Sequence, residues 1–269
     1  MRLINLSGGH DATLPAPPRF RAPANPSRRW RPVLTRVHLN ADINQLRTNN
    51  EVAGFKFATV GVLYAVLLAF AVVVVWEKFN QAESEVAKEA GAAATVFRLT
   101  QGVDPERGAA IREATRYYLT SAIAIDWPAM ESGTQSSATT EALNEIYNAV
   151  LKFQSLGTDE RLVLAEMLRQ VDRISEARRE RRVMADGIVP AIIWVVLFGG
   201  AFLTIGFTFF FGADNLRAQS LMTGALSILI FAGLLIVMEI DYPFAGTVKV
   251  GPEALTAVIK DFAGTPPQQ

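Results

Sequence analysis

The sequence predicts an all-α integral membrane protein, with three transmembrane helices and a helical extramembrane domain between the first and second. Three observations predict it. Of the 269 residues only 19% are charged, against a usual share of about 25%. The shortfall comes from three long runs almost free of charge, each long enough to cross a bilayer as a helix. The stretch between them shows helical spacing of apolar residues and no alternating strand pattern.

Residues 1–56 read as a basic, Pro-rich, disordered tail. Within 1–50 there are eight Arg, two Asp and six Pro, with no apolar period of either kind. The tail has no apolar core of the sort a secretory signal needs. Its arginines suit either a solvated arm or anionic lipid headgroups.

The first span is predicted over 57–76, an uncharged stretch covering about 30 Å as a helix. Lys56 and the cluster Trp76, Glu77 and Lys78 bracket it as interfacial anchors. Gly61, Ala65 and Ala69 recur every four residues, a spacing that lets another helix pack closely. The second span is predicted over 188–211, with Pro190 in its first turn. The third is predicted over 218–238. The short connection between them makes an antiparallel hairpin.

Residues 77–186 are predicted to form a helical bundle that continues the membrane helices. Asp104 before Pro105 is an N-cap and N1 pair, opening a helix through Tyr117. Thr158, Asp159 and Glu160 open another. Leu162, Leu164, Met167, Leu168, Val171 and Ile174 give that helix an apolar face. Residues 133–140 read as a polar loop. The remainder, 239–269, is a short tail in which Pro243 and Gly246 break the third span. Residues 247–250 suit a short extended piece, and a last helix starts at Pro252 and Glu253.

The composition excludes several kinds of chemistry. There is no Cys, hence no disulfide, thiol nucleophile or thiolate metal site. Both histidines, His10 and His38, lie in the tail, so no His-based metal or acid–base site forms elsewhere, and Ser220 and Ser227 have no His base. Lys plus Arg and Asp plus Glu are each 26, a neutral balance that argues against a nucleic-acid binder. No metalloprotease or phosphate-loop motif occurs. The expectation is no enzyme, no cofactor and no metal.

Glu239 and Asp241 stand at the end of the third span, where intramembrane cost falls away. They read as an interfacial helix end, with Asp241 capping the turn of Pro243 and Gly246. Trp127 before Pro128 reads as an anchor fixing a helix end, with Asp126 accepting from an Arg or a backbone N–H. Arg217 is the one cation of the hairpin connection, a plain loop charge or an attractor of anions. Phe207, Phe209, Phe210 and Phe211 suit either a hydrophobic constriction or lipid-facing aromatics.

Flanking charges conflict over sidedness. The basic tail asks to be cytoplasmic. So does the middle domain, through Arg169, Arg173, Arg178, Arg179, Arg181 and Arg182. Three spans satisfy only one of these, and the balance favours a cytoplasmic middle domain. A fourth span upstream would satisfy both.

Several strings resemble a bacterial family called bestrophin-like. They are NEVAGF (50–55), VGVLYAVLLAF (60–70), WE (76–77), DWPAM (126–130), LRAQ (216–219) and DYPFAG (241–246). The matched positions include Asp126, Trp127, Pro128, Arg217, Asp241, Pro243, Phe244 and Gly246. Three features depart from the family pattern: the Arg/Pro tail replaces a further helix, Asp126 replaces Glu, and Tyr242 replaces Arg. The resemblance implies a multi-pass protein of the bacterial inner membrane, embedded in the lipid bilayer. It also implies distant likeness to bestrophins, pentameric chloride channels, and so a homo-oligomer passing small anions. Three spans with few polar residues cannot line a wet path alone, so a pore needs several copies. The other reading is a non-conducting scaffold or sensor whose helical domain binds a partner.

Overall fold

A computed structural model describes residues 50–134, 136–152, 158–211 and 215–264. The tail through residue 49, the hairpin tip 212–214 and the last residues, 265–269, lie outside the described residues. Helices make up every regular element described, with no strand among them.

Helix α1, Asn50–Leu99, is one piece of 50 residues, about 75 Å long. It begins at Asn50, inside the stretch predicted as disordered tail, runs through the first predicted span and continues without a break for 23 residues past Trp76. Nothing in 77–99 stops it: there is no Pro, and the one Gly, Gly91, is in open space. A short turn (Thr100–Gly102) leads to α2, Pro105–Ser121. As predicted, Asp104 caps α2, its Oδ2 accepting from the N–H groups of Glu106 and Arg107 at 3.1 and 3.3 Å.

The helix end expected at Trp127 and Pro128 is not there. The chain stays helical, passing from α2 through a π turn, Ala122–Asp126, into α3, Trp127–Glu131. The Trp127 N–H reaches the carbonyl of Ala122, so one residue is looped out just ahead of Pro128. That widening relieves the clash a proline ring makes with the preceding turn. It also turns two successive residues inward: Asp126 and Trp127 are both buried.

Helix α4 is Ala138–Leu151 and α5 is Thr158–Ala185. The loop predicted over 133–140 is shorter than expected, because α4 takes up its last three residues. On α5, Leu164, Met167, Val171 and Ile174 are fully or almost fully buried, as the spacing predicted, but Leu162 is exposed. It sits two residues before Leu164, on the far side of the helix. Tyr147 of α4 donates to Asp172 of α5 at 2.7 Å. Burial and then that carboxylate push the Tyr147 hydroxyl up to about 12. A raised folded value means this stability is full below pH ~10, the ordinary tyrosine range. It is lost as pH rises through 12. Between pH 10 and 12 the wild type should therefore lose more stability than Tyr147→Phe, read as the difference in unfolding midpoints; parallel curves would refute it.

Helix α6, Ala191–Phe207, starts one residue after Pro190, which is its N-cap and not in its first turn. A final turn, Thr208–Phe210, extends it. Helix α7 is Leu216–Ile240, opened by Asn215, whose side chain accepts from Arg217 and Ala218 N–H. Helix α8 is Glu253–Gly264. Residues 247 and 248 are bends, and 249 and 250 belong to no regular element. The Val250 N–H turns back to the Pro243 carbonyl at 2.7 Å, and Glu239 takes the Thr247 hydroxyl at 2.6 Å.

These helices build two cores on one shared helix. The first half of α1 packs with α6 and α7 around Tyr64, Val75, Leu197, Ala201, Ile230, Leu234 and Val237. The second half packs with α2, α4, α5 and α8 around residues such as Val86, Ile111, Leu119, Ile146, Met167 and Leu255. Among the described residues, α1, α6 and α7 are the helices long and apolar enough to cross a membrane. Their outer faces expose large apolar side chains, among them Phe70, Phe202, Leu221 and Leu229. Such a continuous apolar surface suits lipid and not water.

The small-residue stripe is not what holds the three spans together. Ala65 and Ala69 are exposed, and nothing lies within 4 Å of a Cβ placed at Gly61. The close approaches are made by Gly200 against the Tyr64 ring and Gly233 against Leu68.

Candidate functional site: a buried ion cluster and a carboxylate clasp

Two polar centres lie inside this apolar frame. The first is in the bundle. Arg181 of α5 is fully buried and so is Glu89 of α1. The guanidinium grips Glu89 with two bonds, Nε to Oε2 at 2.8 Å and Nη2 to Oε1 at 3.1 Å. Its Nη2 also reaches Asp126 Oδ2 at 3.4 Å, and Nη1 reaches Met130 Sδ at 3.4 Å. Arg178, one turn back, grips Asp126 in the same forked manner at 2.8 and 3.2 Å, and reaches Thr140 at 3.2 Å. The Tyr118 hydroxyl donates to Glu89 at 2.6 Å. The Trp127 ring lies under Arg181, with Cζ 4.3 Å from its centroid, a cation–π contact.

The cluster holds two cations and two anions and is neutral. Each carboxylate has an arginine fork, a geometry lysine cannot supply. Burial lowers the pKa of Arg181, but Glu89, Tyr118 and Asp126 outweigh it and hold the guanidinium charged. Burial, and next the Glu89 charge, push the Tyr118 hydroxyl well above its ordinary range, so it stays a donor. A cavity of about 10 Å³ beside Asp126 and Met130 has room for about one water and no ligand. The described residues contain no group of three or more His, Cys, Asp or Glu that could hold a metal.

The cluster corrects the charge count used for sidedness. Arg178 and Arg181 are core residues, so only four of the six arginines before the second span stand at or near the surface. It also shows what the sequence missed. Asp126 was singled out as an acceptor for an arginine, and two arginines do meet it. Glu89, Tyr118, Arg178 and Arg181 were not singled out as parts of a site.

The second centre is at the base of the hairpin. Asp241 is buried, and its Oδ1 accepts from the N–H groups of Ile188 and Val189 at 3.0 and 2.7 Å. It therefore secures the approach to α6 and does not cap the turn of Pro243 and Gly246, the role the sequence predicted. Glu239 does that, accepting from Thr247. Ahead of Ile188, Gly187 has φ +93°, and Tyr242 lies where a side chain there would project. Phe244 is buried with its ring perpendicular to that of Trp127, the centroids 6.2 Å apart. Gly246 supplies the positive φ, +84°, that the turn after Pro243 requires.

Arg217 stands exposed in the first turn of α7, remote in sequence from both centres. At the same end of the spans, Phe57 packs against Phe211 and Phe207 at 5.6 and 6.5 Å. Gln219 caps α6 there, donating to the carbonyls of Thr208 and Phe211.

Fold and centres together define a helical membrane protein in which one long helix is shared between an apolar triplet and an ion-clustered bundle. The comparisons agree with that class. The Bestrophin-like domain model matches residues 32–255, and the chain belongs to the Bestrophin-like family. Among solved structures, a variant of a bacterial bestrophin homologue from Klebsiella pneumoniae aligns at TM-score 0.63 and 15% identity. That alignment covers 81% of this chain and 92% of the other. A second variant from the same organism aligns at 0.63 and 15%, covering 87% and 99%. A structure described as a membrane protein aligns at 0.63 and 16%, covering 79% and 88%. At such identity these likenesses are of fold. No curated protein matches the chain.

Proposed function

We propose that this protein forms an oligomeric pore for small anions in a bacterial inner membrane. The spans at 57–76, 188–211 and 218–238 cross the lipid bilayer, and residues 77–186 form a helical domain outside it, on the cytoplasmic side. Membership of the Bestrophin-like family carries the reading, because bestrophins are chloride channels. The hydroxyls of Thr59, Thr204, Thr208, Ser220 and Ser227 are spent on carbonyls of their own helices. A single chain therefore offers no polar path, and conduction requires several copies around an axis. Gly61, Ala65 and Ala69 are then contacts between copies, left open for that purpose within the chain. Arg217 draws anions toward one mouth.

The test has two parts. Mass measurement in mild detergent should give four or more copies, and the purified oligomer should release chloride from loaded liposomes. A monomer or dimer, or no release beside a leaking positive control, overturns the reading. One observation favours the scaffold alternative. A groove of about 750 Å³ runs between α1 and α5, lined by Glu85, Lys88, Gln170, Arg173 and Glu176. It suits a polar partner. A partner retained by crosslinking, with no ion flux, would select that alternative.

A further inference from the structure

We infer that residues 241–250 are a conformational strap, which couples the buried ion cluster of the bundle to the start of α6. Two motifs far apart in sequence, DWPAM at 126–130 and DYPFAG at 241–246, meet in this one joint. Trp127 stands between them. Its ring carries Arg181 on one side and stands perpendicular to the Phe244 ring. Its indole N–H donates to the Val250 carbonyl at 3.3 Å. The far end of the strap is Asp241, which holds Ile188 and Val189 through one carboxylate oxygen. The Ile188 N–H also meets the Asp241 carbonyl at 3.2 Å.

The strap is closed on itself. The Val250 N–H bonds to the Pro243 carbonyl, folding its last residue back onto its third. Phe244 and Val250 are buried, as is Asp241. The segment therefore has two fixed anchors, the Trp127 indole and the Ile188–Val189 amides, with a tight loop between.

What the strap holds is a joint. Between the last residue of α5 and the first of α6 the chain leaves the helix, with Gly187 in the left-handed region at φ +93°. A segment of that kind can change direction without straining either helix. Arg181 lies six residues before Gly187, at the end of α5 that leads into the joint. A change at the ion cluster thus reaches α6 by two routes, along α5 and across the strap. Coupling through the strap is reciprocal by necessity. It holds whether or not the spans conduct.

Amide hydrogen exchange of the full chain in lipid nanodiscs tests it. Trp127→Phe keeps the ring and removes the N–H to Val250. It should speed exchange at Ile188 and Val189 about fivefold, the effect of one lost hydrogen bond on local opening. Asp241→Ala, which removes the acceptor, should in turn speed exchange at Val250. Tyr147→Phe, which loosens the bundle on the α4–α5 side, should leave all three amides unchanged. Unchanged exchange at Ile188 and Val189 in Trp127→Phe overturns the coupling. So does equal acceleration in Tyr147→Phe, which would mean general loosening. If Trp127→Phe does not fold, Asp241→Ala decides alone: no change at Val250 sinks the proposal.

Discussion

Arg181→Met lowers the thermal-unfolding midpoint by roughly 6–20 °C. The guanidinium is fully buried and holds both oxygens of an equally buried Glu89. Removing it leaves that carboxylate without its main counter-charge, with only the Tyr118 hydroxyl still donating. Breaking one partner of a buried pair costs about 3–5 kcal/mol. For a chain of this size about 2–4 °C accompanies each kcal/mol. Pairing the change with Glu89→Gln removes the orphaned charge and should restore part of the loss. A double variant as unstable as the sum of the two singles would show that the residues do not act as a pair. A single variant within 2 °C of wild type would show that the cluster is not the bundle's electrostatic centre.

The neutral balance of the cluster makes it a device for specificity more than for net stability. Well-packed apolar residues in place of all four charges would cost little, and such swaps can stabilise. What the charges supply is register. Glu89, Asp126, Arg178 and Arg181 meet only when α1, the π turn and α5 stand at one height. A slip of α5 by one turn would carry one arginine into the other's place and leave one carboxylate and one guanidinium without their partners.

Much of the architecture was legible because long apolar runs have one interpretation. The three spans, the cap at Asp104 and the face from Leu164 to Ile174 all followed from composition or spacing. The cluster was legible too, though it was not read. The spacing that runs through Leu164, Met167, Val171 and Ile174 continues unchanged to Arg178 and Arg181. Glu89 likewise sits in the stripe of Ala82, Val86, Ala93 and Val96. A charge standing in phase with a buried face is the signal of a buried ion pair. Counting those arginines as surface charge obscured it.

Other features could not be read from one chain. The π turn is one of several answers to a proline inside a helix, and Pro128 in sequence does not say whether its helix stops, kinks or widens. Asp241 bonds to backbone groups over fifty positions away, and an acceptor in sequence does not name its donor. The glycine contacts within the chain were hidden for a related reason. Gly61, Ala65 and Ala69 form an obvious stripe, whereas Gly200 and Gly233 sit singly on different helices. Only the fold reveals that each faces a bulky side chain of α1.

Gly200 yields the second large effect, because its neighbour supplies the control. A Cβ at Gly200 would fall 2.5 Å from Tyr64 Cδ2 and 2.8 Å from Cε2, while one at Gly199 meets nothing within 4 Å. The Tyr64 ring is only 5% exposed, so it has no room to swing aside. Gly200→Ala should therefore destabilise the α1–α6 contact by about 1–3 kcal/mol, the usual cost of overpacking. Gly199→Ala should stabilise α6 by about 0.5–1 kcal/mol, since alanine is the better helix former. Two adjacent glycines on one helix should thus respond with opposite sign, read by thermal unfolding in the same detergent. Tyr64→Leu should soften the penalty at Gly200 and leave Gly199 unaffected. Equal losses at both positions would mean that the Tyr64 contact does not set the spacing of the helices. A loss at Gly199 that appears only in the oligomer would place a second copy against that face of α6, bringing the membrane triplet into the contact between copies.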